Sequence, residues 1–96
     1  MEITNEKEFE EIIKDNLVIV DFFATWCGPC RMQGPVLEEF ASKNNVKTIK
    51  VDVDKFPALA RKYAVMSIPT LILFKNGEEV DKKIGLTSLT ELSEWI

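Results

Sequence analysis

A nearly unbroken apolar run, Leu17 to Ala24, leads into Cys27-Gly28-Pro29-Cys30 and then directly into a helical pattern. A run of this kind is typical of a central strand that is covered on both faces. Gly28 permits a tight turn, and Pro29 fits the first turn of a helix, where its missing N–H costs little. The sequence therefore predicts a buried strand that ends at two cysteines, with a helix beginning between them.

The two cysteines lie three positions apart, so they are neighbours on the first helical turn and can form a disulfide in a small ring. A thiol at the amino end of a helix faces unpaired N–H groups and the positive end of the helix dipole, which favour its thiolate. Cys27 is therefore the expected nucleophile. Cys30, one turn inside the helix, is the expected resolving thiol.

Three other interpretations of the pair remain open at this point. It could be half of a zinc site, although the chain has two cysteines and no histidine, so four ligands would require two chains. It could be an inert structural disulfide, although so short a loop restrains little unfolded-chain entropy. The two thiols could also be buried without any chemical role.

Length and charge narrow the class of protein. A chain of 96 residues predicts one domain, residues 1–96, with a single core. Its formal net charge of -4 argues against nucleic acid or an anionic membrane as the partner. No apolar run approaches the ~20 residues of a membrane span, and the first residues do not resemble a signal segment. We expect a cytoplasmic protein, and a reducing compartment favours catalytic use of the cysteines.

The remaining patterns predict helices that alternate with strands. In chain order we expect a short edge strand at 2–4, a helix opened by an Asn5 to Glu8 capping box, the strand 17–24, a long helix after the cysteines, a strand at 49–53, a short helix at 57–63, strands at 70–74 and 79–84, and a final helix opened by a Ser88 to Glu91 capping box. Asn76-Gly77 predicts a two-residue hairpin, which makes the last two strands antiparallel. Together these elements predict a three-layer α/β sandwich.

The long helix after the cysteines has an amphipathic pattern. Met32, Val36 and Phe40 recur at helical spacing, with Leu37 and Ala41 beside them, and predict the buried stripe. Gln33 is among the residues expected on the solvent side. The apolar stripe is expected to pack on the sheet.

Asp21 is a second candidate functional residue. A carboxylate within an apolar strand is costly unless it is satisfied or protonated, and desolvation is expected to raise the pKa of Asp21 while Lys50 opposes that shift. The alternative is that the Asp21 side of the strand points to water. Taken alone, Lys50 would be a solvated strand lysine, and Trp26 and Met66 would be core residues.

The segment Val20 to Cys30 resembles the active-site signature of the thioredoxin family. The similarity covers essentially the whole chain and continues through Pro35, Lys50, 67–70, 74–77 and Gly85. The Gly-Pro between the cysteines is similar to that of thioredoxins rather than to the Gly-His of disulfide isomerases or the Pro-Tyr of glutaredoxins. The resemblance implies a five-stranded mixed sheet in the order 1-3-2-4-5, with four helices and the strand 17–24 in its middle.

The resemblance also implies roles for individual residues. Asp21 would be the buried acid that relays protons to and from Cys30, with Lys50 as its charged neighbour. Pro69 would follow a cis peptide bond. The substrate-binding surface would consist of Trp26, Gly28, Pro29, Met66, Ile68, Pro69, Gly85 and Leu86.

The implied activity is the reduction of protein disulfides by attack from Cys27, a mixed disulfide, and resolution by Cys30. No cofactor beyond that redox-active disulfide is expected, and no metal. The implied partners are thioredoxin reductase as electron donor and disulfide-containing target proteins, with the chain acting as a monomer. Two alternatives remain: an oxidant or isomerase with the same chemistry, and a binding module whose thiols are incidental.

Two positions depart from the common family pattern. Phe23 and Gly34 stand where many relatives carry Trp and Ala. Gly34 is expected to lower the stability of its helix by about 0.5–1 kcal/mol relative to Ala.

Overall fold

The computed structural model describes all residues, 1–96, and contains four helices and four strands. The helices are α1 (Glu6–Ile12), α2 (Gly28–Lys43), α3 (Pro57–Lys62) and α4 (Leu89–Trp95), and the strands are β1 (Leu17–Phe23), β2 (Lys47–Asp52), β3 (Thr70–Lys75) and β4 (Glu78–Ile84). The four predicted helices are confirmed. None of them is long and apolar enough to cross a membrane.

Side-chain caps determine where α1 and α4 begin. At α4, the Ser88 hydroxyl accepts the Glu91 N–H and the Glu91 carboxylate accepts the Ser88 N–H, so the predicted capping box is confirmed. At α1, the Asn5 side chain accepts the Glu8 N–H at 2.8 Å. The Glu8 carboxylate accepts the N–H of Thr4 instead of that of Asn5. The second hydrogen bond of the predicted capping box is therefore made one residue earlier than predicted.

The strands form one mixed sheet in the order β2-β1-β3-β4, with β1 in its interior. β1 is parallel to β2 and antiparallel to β3, and β3 is antiparallel to β4. Asn76 and Gly77 connect β3 to β4 with φ angles of 53° and 89°, and two consecutive positive φ values are what a tight two-residue hairpin turn requires. The predicted hairpin is confirmed.

The predicted five-stranded sheet in the order 1-3-2-4-5 is wrong, because the segment 2–4 does not form a strand. Glu2 makes an isolated parallel bridge to Lys50 on the outer side of β2. Two backbone hydrogen bonds hold the segment there, Ile3 N–H to Lys50 O at 3.0 Å and Lys50 N–H to Met1 O at 2.8 Å. Asn5 already caps α1, so the chain enters the helix two residues after Ile3 and the pairing does not continue toward Asn5.

Two apolar clusters cover the two faces of the sheet, as the alternation of side chains along β1 requires. Val18, Val20 and Phe22 belong to one cluster, which reaches Phe9 of α1 and Leu59 of α3. The other cluster contains Ile19 of β1, Leu37 and Phe40 of α2, and Leu92 of α4. The predicted three-layer α/β/α arrangement is therefore confirmed.

The buried face of α2 agrees with the predicted one at Leu37 and Phe40 and differs at Met32 and Gln33. The residues it buries are Cys30, Gln33, Leu37 and Phe40, whereas Met32 is 61% exposed. The assignment of Gln33 to the solvent side was wrong, because hydropathy alone excludes a polar residue from a buried stripe. Gln33 lies inside because its amide finds backbone partners there.

Candidate active site

The two cysteines form a disulfide where α2 begins, at the carboxyl end of β1. Cys27 is the N-cap of α2, and its Sγ accepts a hydrogen bond from the Cys30 N–H at 3.2 Å. Pro29 lies in the first turn, as predicted. The two Cα atoms are 5.3 Å apart, within the usual range for a disulfide.

The disulfide is almost fully enclosed by protein. The exposed fraction is 5% for Cys27 and 2% for Cys30. Both cysteines pack with Phe23 and Ala24, and Ile68 packs against this group. Gly28 lies exposed beside the disulfide, as does Pro29. No group of three or more His, Cys, Asp or Glu side chains converges in the structure.

A shallow apolar groove of about 400 Å³, called the Trp26 groove below, lies next to the cysteines. Two of its side chains stand out into solvent, Trp26 at 69% and Met66 at 93% exposure. Its lining residues are Trp26, Val53, Val65, Met66, Ser67 and Ile68. Apolar side chains exposed together in this way are typical of an interaction surface.

The other predicted surface residues lie beyond the Trp26 groove. The Ile68–Pro69 peptide bond is cis, as the resemblance implied. The carbonyl of buried Pro69 accepts the Gly85 N–H at 2.8 Å. Leu86 lines a second groove of about 320 Å³ next to Met32 of α2. The predicted surface is therefore divided between two grooves. Gly85 connects them, because it is hydrogen-bonded to Pro69 and directly precedes Leu86 in the chain.

Asp54, which the sequence analysis missed, fixes the orientation of Trp26. The indole N–H of Trp26 donates to Asp54 Oδ2 at 2.9 Å, across 28 positions of sequence. Asp54 is itself held after β2, because its N–H donates to the Asp52 carboxylate at 2.9 Å. An acid in the loop after a strand gives no sequence signal that it will reach a distant tryptophan.

Asp21 is fully buried in β1, on the sheet face that also carries Ile19 and Phe23. Neither of its carboxylate oxygens has a hydrogen-bond partner. Burial raises the pKa of Asp21 from 3.8 to about 7, and the charge of Lys50 acts in the opposite direction. The predicted shift is confirmed, and Asp21 changes protonation near neutral pH.

Lys50 is the register partner of Asp21 on β2. It is half-buried, and its Nζ lies 4.3 Å from the centroid of the Phe23 ring. Lys50, Asp21 and Gly34 together line a cavity of about 30 Å³. Lys50 is therefore not the freely solvated strand lysine that its sequence context alone suggests.

A disulfide closed within one helical turn can be opened and re-formed by thiol exchange, which is the chemistry of the thiol–disulfide oxidoreductases. Within that class, the chain belongs to the thioredoxin family, whose sequence profile matches residues 1–96. It is 50% identical over 91 residues to thioredoxin from Staphylococcus epidermidis, covering 93% of this chain and 88% of that protein. It is 45% identical over 97 residues to thioredoxin from Rickettsia bellii, covering 98% of this chain and 92% of that protein.

Comparison with solved structures agrees with the sequence comparison. A mutant thioredoxin from Halobacterium salinarum has a TM-score of 0.95 and 39% identity, covering 100% of this chain and 86% of that one. The protein therefore has the thioredoxin fold and is a thiol–disulfide oxidoreductase.

Proposed function

We propose that this protein reduces disulfides in other proteins, with Cys27 as the attacking thiolate and Cys30 as the resolving thiol. The observation that carries the proposal is that Cys27 caps α2 and its sulfur accepts the Cys30 N–H. After reduction, the same N–H and the positive end of the helix dipole stabilise negative charge on Cys27. Cys30 lies one turn inside the helix and does not occupy the cap.

The reaction proceeds by two exchanges of sulfur partners. The Cys27 thiolate attacks one sulfur of the target disulfide, a bond between Cys27 and the target forms, and the second target sulfur leaves as a thiolate that takes up a proton. Cys30 then loses its proton and attacks Cys27, and the target is released as a dithiol. Two electrons have passed to the target, and the Cys27–Cys30 disulfide is regenerated.

Asp21 is proposed to accept the proton of Cys30 in the second exchange. Its pKa of about 7 is suited to this, because a general base works best when its pKa lies near the working pH. Asp21 lies on the same strand face as Phe23, which packs against both cysteines. Lys50 is proposed to keep that pKa from rising further, in agreement with the direction of its effect.

The substrate-binding surface is proposed to consist of the Trp26 groove together with the exposed residues around it. An extended target segment would lie along the backbone at Ile68 and Pro69, as strands added to a sheet edge do. Its apolar side chains would contact Trp26 and Met66. The remaining proposed contacts are Gly28, Pro29, Gly85 and Leu86.

The same proposal extends to partners and setting. Residues 1–96 are proposed to act as a single thioredoxin domain, as a monomer in the cytoplasm. Thioredoxin reductase would return the two electrons, and the targets would be proteins with accessible disulfides. The redox-active disulfide would serve without a further cofactor. Membership of the thioredoxin family supports these assignments.

Insulin reduction by dithiothreitol tests the proposal. The wild-type protein is expected to accelerate the reaction, and Cys27→Ser is expected to abolish that acceleration. Ser93→Ala, a change on the exposed side of α4, is the control. If the wild-type protein did not accelerate insulin reduction, the thiols would be incidental and the protein would be a binding module. If Cys27→Ser accelerated the reaction as well as wild type, Cys27 would not be the attacking thiol. A redox titration against glutathione then distinguishes a reductant from an oxidant or isomerase.

A further inference from the structure

Gln33 is a fully buried polar side chain on the inner face of α2. The oxygen and the nitrogen of its amide group both form hydrogen bonds with Thr87. Its Nε2 donates to the Thr87 carbonyl at 3.0 Å, and its Oε1 accepts the Thr87 N–H at 2.7 Å. Thr87 is 2% exposed and lies in the connection between β4 and α4. Water does not reach these buried groups, so neither hydrogen bond has a substitute if it is broken.

The connection that contains Thr87 is attached to the active site on its other side as well. The Gly85 N–H donates to the Pro69 carbonyl at 2.8 Å, and the Thr87 hydroxyl donates to the Gly85 carbonyl at 3.2 Å. Gly85 has a φ of 90°, a conformation that side-chain-bearing residues rarely adopt. Gln33 thus connects the helix of Cys30 to the segment 85–87, and through Gly85 to Pro69.

An apolar side chain could fill the space of Gln33 without the cost of burying an amide. Unlike an apolar side chain, the Gln33 amide fixes the position of the Thr87 backbone through its two hydrogen bonds. Because Leu86 stands between the two anchored residues and is 45% exposed, that position also determines where Leu86 meets a partner.

We propose that Gln33 is a positioning residue that holds the segment 85–87 as a preformed edge for protein substrates. The inference rests on the proposed function, because that function makes Gly85 and Leu86 part of the substrate-binding surface. Both hydrogen bonds of the Gln33 amide go to Thr87 and not to a cysteine. The expected effect is therefore on substrate binding rather than on sulfur chemistry. A small disulfide that reaches only the cysteines would not depend on this edge.

The test compares Gln33→Leu with Phe40→Leu, a buried change two turns further along the same helix. Reduction of insulin is measured beside reduction of a small aromatic disulfide. For Gln33→Leu, which removes both hydrogen bonds to Thr87, kcat/KM for insulin is expected to fall about tenfold relative to kcat/KM for the small disulfide. The fall is expected to come from a higher KM, with kcat little changed. The insulin ratio is kcat/KM for insulin divided by kcat/KM for the small disulfide. Phe40→Leu is expected to leave the insulin ratio at the wild-type value.

Gln33→Glu supplies a second readout. Its carboxylate can still accept the Thr87 N–H, but its other oxygen then faces the Thr87 carbonyl without a proton to donate. Protonation restores the donor, so the insulin ratio of Gln33→Glu is expected to approach the wild-type ratio as the pH is lowered. In wild type, hydrogen exchange of the Thr87 amide is expected to be slow.

Equal insulin ratios for Gln33→Leu and Phe40→Leu would contradict the inference. If Gln33→Leu did not fold, a pH-independent ratio for Gln33→Glu, or fast exchange of the Thr87 amide in wild type, would contradict it instead. Failure of the proposed function gives a different result, since the wild-type protein would then not reduce insulin at all.

Discussion

Asp21 of β1 and Lys50 of β2 are register partners, yet the Asp21 carboxylate has no hydrogen-bond partner and the Lys50 ammonium lies over the Phe23 ring. Ionising a carboxyl group in such a place is costly, because burial removes it from bulk solvent and no hydrogen-bond donor of the protein compensates the charge. Stability and turnover should therefore both depend on the protonation of this one residue.

The first prediction concerns stability against pH. Below pH 3.8 the carboxyl of Asp21 is protonated in the folded and unfolded chains alike, so it costs nothing. Between 3.8 and about 7 the unfolded chain releases a proton that the folded chain retains, so the free energy of unfolding falls as the pH rises. Above that range the loss is constant, at about 4 kcal/mol.

Asp21→Asn carries no charge at any pH. Urea unfolding should therefore show nearly equal stability for Asp21→Asn and wild type at the acid end of this range. At pH 8 the variant should be more stable, by about 4 kcal/mol. A stability difference that does not change with pH would contradict the assignment.

The second prediction concerns turnover of the same variant. Asp21→Asn should slow insulin reduction by about tenfold or more, because Cys30 loses its proton acceptor in the second exchange. Asp15→Asn, the same chemical change at an exposed acid, is the control. Wild-type turnover in Asp21→Asn would remove Asp21 from the mechanism while leaving the stability prediction intact.

Gly34 supplies the third prediction. A Cβ added there would have Lys50 Nζ as its nearest neighbour, at 3.8 Å, an ordinary contact distance. Gly34→Ala should therefore raise the free energy of unfolding by about 0.5–1 kcal/mol, the usual gain in a helix.

Gly77→Ala is the matched control for Gly34→Ala. Gly77 has a φ of 89° in the hairpin, so the same added methyl should destabilise the protein. Denaturant unfolding of both variants measures whether each substitution raises or lowers the free energy of unfolding. A loss of stability in Gly34→Ala would show that the α2 backbone cannot accept the methyl group.

The fourth prediction uses two tryptophans that each donate to an aspartate. Trp26 bonds to Asp54 at the groove, and Trp95 bonds to Asp81 at 2.6 Å in another part of the structure. Asp54→Ala should raise KM for insulin severalfold, because the indole of Trp26 is no longer held in place. Asp81→Ala should leave KM unchanged. Equal effects of the two changes would show that the Trp26 orientation does not matter for binding.

Much of the fold could be predicted because local chemistry decided it. The hairpin at Asn76-Gly77 and the capping box at Ser88 depend on residues within four positions of one another, and the structure has both. The strand expected at 2–4 failed because its length depends on where α1 begins, which hydropathy does not give. A pattern of apolar residues shows that a segment can pair, and not how many of its residues do.

The site was predictable in its sulfur chemistry and less so in its polar contacts. The spacing of the two cysteines at the start of a helix predicts a disulfide. Asp21 is recognisable because it is an acid within an apolar run. Gln33 and Asp54 carried no such signal, because their partners, Thr87 and Trp26, are 54 and 28 positions away. Long-range hydrogen bonds of this kind can be located only once the fold brings the partners together.

The most direct test of the central claim is to trap the mixed disulfide. Cys30→Ser retains the attacking thiol and lacks the resolving one, so after incubation with insulin its intact mass should show an insulin chain attached through Cys27. Cys27→Ser should show no such adduct. An adduct on Cys27→Ser, together with none on Cys30→Ser, would contradict the account and exchange the roles of the two cysteines.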